Sequence, residues 1–159
     1  MQREVVPASF SRPAACVEHA GRLAPSMAKG YNLDQERKQA LSLFGKDLAR
    51  RAKSRCELTQ TGGVPLVTYE IPPVPKEPEF SRCLLVSDAV LGQLEKPGTL
   101  QADEWHHLSE VIWSEVPAVQ AMALRILRHL APSEPWARNL IEESYLNPVA
   151  EDLANEASL

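Results

Sequence analysis

Residues 55–71 read RCELTQTGGVPLVTYEI. The first half opens like a metal-binding knuckle and the second half reads as a β-strand. A knuckle places two thiolates at C-x-x-C spacing so that one tight turn aims both at the same ion. Here Cys56 is followed at that spacing by Thr59. After the Gly62-Gly63 turn, VPLVTYEI alternates with Val67, Tyr69 and Ile71 on one face, the two-residue period of a strand. That strand must end at Pro72, Pro73, Pro75 and Pro78, which fix their own dihedrals and lack donors, so the run is expected to be an extended polyproline-like connector. Beyond it CLLV (Cys83 to Val86) can pair antiparallel with the first strand, and SDAVLGQLE starts a short helix capped by Ser87 or Asp88. Pro97-Gly98 closes the unit.

Upstream, LDQERKQALSLFGKDLARRAKSR repeats Leu41, Phe44, Leu48 and Ala52 at helical spacing, with Lys46, Arg50 and Lys53 on the other side. Asn32 suits an N-cap with Gln35 three positions on, and the basic residues gather at the C-terminal end, where the helix dipole favours them. Residues 1–30 are rich in Pro, Ala, Ser and Arg without a sustained period and are expected to form a disordered tail. Met27 is a plausible alternative start, which would remove Cys16 from the chain.

Downstream the pattern is helical. Asp103 is expected to cap EWHHLSEVIW, with a stripe of Trp105, Leu108 and Ile112. Ser114 precedes EVPAVQAMALRILRHL, with Pro117 in the first turn and Val119, Met122, Ala123, Ile126 and Leu130 on one face. Ser133 and Pro135 open WARNLIEESYL with Trp136, Leu140 and Ile141 inward, and Asn147-Pro148 opens a last helix containing Val149 and Leu153. Short loops between such helices imply an antiparallel cluster.

The 159 residues, 44% hydrophobic and 24% charged, fit one globular domain and leave no room for two large ones. The formal charge of -4 argues against a chain constitutively coated with nucleic acid or drawn to anionic membranes. No run is long enough to span a bilayer. The segment VVPASF is too short for a signal-peptide core, and three cysteines suit a reduced, cytoplasmic protein better than a disulfide framework.

Half-knuckle, strand, proline connector, second strand and second turn follow the order of a zinc ribbon. With SRCELTQTGGVPLVTYEIPPVP, LGQLEKP, WHHLSEVIWSEVPAVQAMALRILRHL and EPWARNLIEESYL, the chain resembles the PhnA-like family, named for its association with alkylphosphonate-utilisation operons, over about residues 31–154. The resemblance implies a zinc ribbon followed by helices. The sequence given carries no counterpart of the small C-terminal β-domain that often follows in that family. Carried onto this chain, the family's four ligand positions are Cys56, Thr59, Ser87 and Val90, and Cys83 is not one of them. One thiolate cannot hold a structural zinc, whose binding free energy of roughly 10 to 16 kcal/mol needs the full donor set. The site is therefore expected to be metal-free, with Val90 packing against Leu58, Leu84 and Val86 and contributing about 1.5 to 3 kcal/mol.

Other residues invite chemistry and have plainer readings. His106 and His107 point about 100° apart on a helix and read as a solvent-side pair. A site rescued from Cys56, Cys83 and a histidine lacks planned geometry. Cys56 follows Lys53 and Arg55, which favour a thiolate, but sits at the wrong end of a helix dipole and lacks a neighbouring base. Lys46, Arg50, Arg51, Lys53 and Arg55 could meet phosphates or simply be solvated, while Glu142, Glu143, Glu151, Asp152 and Glu156 make the C-terminal end acidic. Trp105, Trp113 and Trp136 are expected to anchor helices; Trp113, the one off its stripe, is the candidate for an exposed aromatic hot spot, although core packing against the ribbon is the favoured reading for it. Glu110 and Glu115 read as solvated carboxylates. Nucleotide-binding and nucleophile-elbow motifs are absent.

The expectation is an α+β protein with these parts: tail 1–30, PhnA-like domain 31–155, helix 31–55, metal-free zinc-ribbon-like hairpin 56–96 and helical cluster 102–155. No catalytic, cofactor or metal residue is expected. The function expected is a non-catalytic interaction module with a protein partner, which the resemblance links to phosphonate metabolism. The alternatives are a nucleic-acid-binding module using the basic face of the first helix and a phosphonate-processing enzyme.

Overall fold

The computed structural model describes residues 25–159. Its two strands meet as their alternation demands. β1 (Leu66–Glu70) pairs antiparallel with β2 (Cys83–Ser87), in register from Leu66 opposite Ser87 to Glu70 opposite Cys83. Every residue of β2 is buried, because both its faces are covered. Successive side chains of a strand point opposite ways. Cys83 and Leu85 accordingly pack with Leu48 of the first helix, while Leu84 and Val86 enter the main core.

That first helix, α1 (Pro25–Arg51), is longer than its sequence pattern suggests. Residues 25–30, expected to belong to the tail, are helical, and Asn32 lies inside the helix instead of capping it. The apolar period that reveals a helix begins only where α1 touches the body. Its earlier turns carry exposed Tyr31 and Leu33. The remainder of the expected tail, with Cys16, falls outside the described residues. At the other end Lys53 and Ser54 adopt left-handed φ of 52° and 56°, and Ser54 N–H donates to Ala49 O at 2.8 Å, ending the helix.

The proline run does not extend straight. It bends at 72–73 and again at 76–77, and the Pro72–Pro73 peptide is cis. Arginines capture its carbonyls: Arg37 donates to Pro75 O and Lys76 O, and Arg125 to Pro72 O. After β2, α2 (Asp88–Glu95) starts as expected at Ser87, whose hydroxyl accepts from Val90 N–H at 3.4 Å.

The segment expected to be one helix capped by Asp103 is broken. A 3-10 turn (Ala102–Trp105) follows Gln101, and α3 (Leu108–Val111) is a single turn. The three-residue step from Trp105 to Leu108 suits a 3-10 turn as well as an α-turn. Trp105 Nε1 donates to Gln93 Oε1 at 2.7 Å, which fixes the indole against α2. The stripe itself is as read, since Trp105, Leu108 and Ile112 are all buried.

α4 (Pro117–Leu130) is the centre of the molecule. Residues 118–127 are buried without interruption, including Gln120 and Arg125, so the helix is enclosed on all sides and not on one face as expected. Around it pack α3, α5 (Pro135–Glu143) and α6 (Pro148–Asn155). α5 begins after Glu134, one residue past the expected Ser133, and stops before the exposed Tyr145. Asn147 caps α6 as read, its Oδ1 accepting from Val149 N–H at 2.9 Å. Among the described residues the chain is thus α+β, with six α-helices and one antiparallel hairpin. No helix there is long and apolar enough to cross a membrane.

Candidate functional site

The two turns that frame the hairpin come together. In the first, Cys56 N–H donates to Thr61 O at 2.9 Å and Gln60 N–H donates to Cys56 O at 2.8 Å. Gln60 takes a left-handed φ of 56° to close the turn. Glu57 N–H donates to Leu85 O, which pins the turn to β2. In the second turn the Ser87 cap presents the start of α2. Thr59, Ser87 and Val90 then line one recess of about 340 Å³, bounded also by Gln93, Glu104 and Trp105.

Three of the four positions carried over from the resemblance therefore share a wall. The fourth does not. Cys56 is fully buried in the core beside Leu58, Leu84, Val86 and Val90, an apolar group that the sequence reading anticipated, though as part of the main core and not as a separate cluster. These residues do not fit a zinc ion: one thiol lies outside the recess, two neutral hydroxyls are weak donors, and Val90 has none. Among the described residues no three His, Cys, Asp or Glu side chains are grouped to hold a metal. Thr59 Oγ1 is buried without a hydrogen-bond partner, and a chain of bonds runs from Trp105 Nε1 through Gln93 to Glu104 Oε2 at 2.7 Å along the far wall.

The cysteines are held apart. Cys83 belongs to the cluster under α1, where its Sγ donates to Glu79 O at 3.1 Å. Burial first, and then the Glu70 carboxylate, push its thiol up to about 11. Cys56, considered as a nucleophile, has no exposed surface. The histidines also separate. His106 is exposed and lies on Trp136, ring centroids 4.5 Å apart. His107, expected at the solvent side, is half-buried near Trp105, with Nε2 buried and unpartnered.

The basic stripe on α1 loses one member. Arg51 turns inward, donating to Glu57 through two bonds of 2.7 Å and to Cys83 O at 2.8 Å, with its guanidinium over Phe80. Lys46, Arg50, Lys53 and Arg55 are exposed. Arg37 forms a second fork, to Glu70 at 2.9 and 2.6 Å, and Arg82 reaches Glu156 at 2.6 and 2.9 Å, drawing one of the C-terminal acids back onto the hairpin.

Of the tryptophans, Trp105 is buried and Trp136 half-buried, but Trp113 is 51% exposed. It stands at a shallow recess of about 290 Å³ with Gln60 of the first turn, Glu110, Val111 and Ser114. The favoured expectation that Trp113 packs into the core against the ribbon is therefore not met; its place off the stripe was the signal for exposure. No comparable signal marked Arg125 or Gln120, whose roles depend on partners far along the chain. Gln120 donates to Ile112 O and accepts from Asn147 N–H, joining α3, α4 and the start of α6. No protein-family model, curated protein or solved structure matches the chain.

Proposed function

We propose that the chain is a non-catalytic module that binds another protein, of the PhnA-like, degenerate zinc-ribbon kind that its motifs resemble. The observation that carries this reading is Trp113. A tryptophan half-exposed beside a recess presents the large, rigid apolar surface in which interface energy is concentrated. The recess formed by Thr59, Ser87 and Val90 supports the ribbon part of the reading, because it brings the two turns to one place. The link to phosphonate metabolism rests on the resemblance alone.

The test is affinity capture from the source cell with the full chain and with Trp113→Ser. A partner recovered at stoichiometric yield by the first and lost from the second, with unchanged melting of both, is the expected result. Recovery of the same partners by both chains would end the assignment of this surface.

A second reading has its own observation: Lys46 and Arg50 at the C-terminal end of α1 and Lys53 and Arg55 just after it stay exposed. A nucleic-acid module using this face would bind with a steep salt dependence. Arg50→Glu with Lys53→Glu would abolish that binding. The negative net charge and the withdrawal of Arg51 into the hairpin place this reading second.

A further inference from the structure

Arg125 is 2% exposed and, among the described residues, forms no ion pair with a carboxylate. Its Nε donates to Ala154 O at 3.4 Å, its Nη2 to Leu153 O at 2.6 Å and its Nη1 to Pro72 O at 2.6 Å. A guanidinium has five N–H donors, so these three bonds leave two. Neutral carbonyls satisfy donors without neutralising charge. Burial pulls Arg125 below the ordinary guanidinium range; Tyr69 and Glu156 act against that pull, and Arg82 and Arg128 add to it. One turn further along α4 stand Arg128, whose Nη1 donates to Asn155 Oδ1 at 2.8 Å, and His129.

Arg125, Arg128 and His129 line the same recess of about 620 Å³, within the range of small-molecule sites. Pro132 and Leu159 supply apolar wall, and Leu159 packs on the main core. No Asp or Glu side chain is among the described residues lining it, and among the described residues no carboxylate is ion-paired with Arg125 or Arg128. In a chain whose acids outnumber its bases, a recess with two arginines and a histidine among its lining side chains is a departure from the average. Capping the end of α6 explains why an arginine sits at 125. It does not explain the second arginine and the imidazole on the same wall.

We propose that this recess binds a small molecule bearing a phosphoryl dianion, held by Arg125 and Arg128, with an apolar stem against Pro132 and Leu159. Two guanidinium charges match a dianion better than a single carboxylate, and planar N–H forks suit phosphoryl oxygens. His129 adds a further polar contact at the rim. The proposal is independent of the protein-binding reading and uses a different face from Trp113.

Titration of the full chain with inorganic phosphate, phenyl phosphate and succinate at fixed ionic strength, followed by backbone amide shifts, tests it. Saturable shifts confined to residues 125–132 and 153–159, with phenyl phosphate binding more tightly than inorganic phosphate, are the expected result. Arg128→Glu should weaken binding at least tenfold with an unchanged melting temperature, since Arg128 is exposed. Arg125→Lys, which keeps the charge but not the fork, should weaken it as well. No saturation up to about 10 mM, where binding free energy is only a few kcal/mol, overturns the site. Equal binding by Arg128→Glu also overturns it, and succinate binding as tightly as phenyl phosphate overturns the ligand class.

Discussion

Arg51 and Glu57 form a two-toothed ion pair, Nε to Oε1 and Nη2 to Oε2 both at 2.7 Å, with the Glu57 side chain only 5% exposed. Each partner also holds the hairpin. Arg51 donates to Cys83 O at 2.8 Å, and Glu57 Oε2 accepts from Leu85 N–H at 2.8 Å. The pair therefore fastens the end of α1, the first turn and β2 together. Removing either partner strands the other with little access to water. Arg51→Met or Glu57→Leu should each cost about 3 kcal/mol, read from urea unfolding. The double variant should lose clearly less than the sum, because the coupling between paired groups is removed only once. Additive losses would show that the two residues act separately.

Trp105 and Trp113 are eight positions apart and should behave in opposite ways. Trp105 is buried and its indole N–H has a partner in Gln93, so Trp105→Phe should cost about 2 kcal/mol through the lost bond and the space left behind. Trp113→Ser should change stability by no more than about 0.5 kcal/mol, as for other exposed positions away from special features. A large loss on changing Trp113 would mean that it is a packing anchor.

Cys83 sets an alkaline limit. Its thiol ordinarily titrates near 9.0 and is pushed up to about 11 in the fold, by burial first and Glu70 next, against a lowering by Arg51 and Arg37. Below pH 9 the thiol is protonated in both states and stability does not depend on it. Between 9 and 11 the unfolded chain gives up the proton while the folded chain keeps it, so stability falls as pH rises through this window. The loss relative to Cys83→Ala should be on the order of 2 kcal/mol by pH 11. In a Cys16→Ser background, neither Cys56 nor Cys83 should react with a thiol reagent at pH 8 faster than the protein opens, since both have no exposed surface. Reaction of either within the mixing time would contradict that burial.

The hairpin and the central helix were readable because their signals are local. The alternation from Val67 to Ile71, the prolines after it and the CLLV run are each sufficient to specify strand, stop and strand, and the register follows from which residues must be covered. Ser87 and Asn147 cap the helices that their side chains predict. What could not be read depends on distant partners. Arg125 looks like any polar residue on a helix until Leu153, Ala154 and Pro72 present their carbonyls to it. The early turns of α1 have no buried stripe to announce them, and Trp105, where the expected helix breaks, has its indole held by Gln93 on α2. Of the candidate site, the positions Thr59, Ser87 and Val90 were foreseen, while the retreat of Cys56 into the core and the basic recess behind α4 were not.

The resemblance to a ribbon can be tested by rebuilding what the chain lacks. If the turns at 56–59 and 87–90 hold the backbone of two knuckles, then Thr59→Cys, Ser87→Cys and Val90→Cys together complete a tetrathiolate with Cys56. Replacing Val90 removes about 1.5 to 3 kcal/mol of burial, and Cys56 must rotate toward the recess, but a full donor set returns roughly 10 to 16 kcal/mol on binding zinc. The triple variant should take up one cobalt(II) per chain with the intense visible bands of a tetrahedral thiolate complex, and zinc should displace it and raise the melting temperature. Adding Cys56→Ser to the triple variant should weaken uptake sharply, because only three thiolates remain. Loss of fold without metal and recovery with it would still support the geometry. Absence of a one-to-one tetrahedral complex in a folded triple variant would show that the two turns approach each other without the knuckle geometry, and the family reading would fall with it.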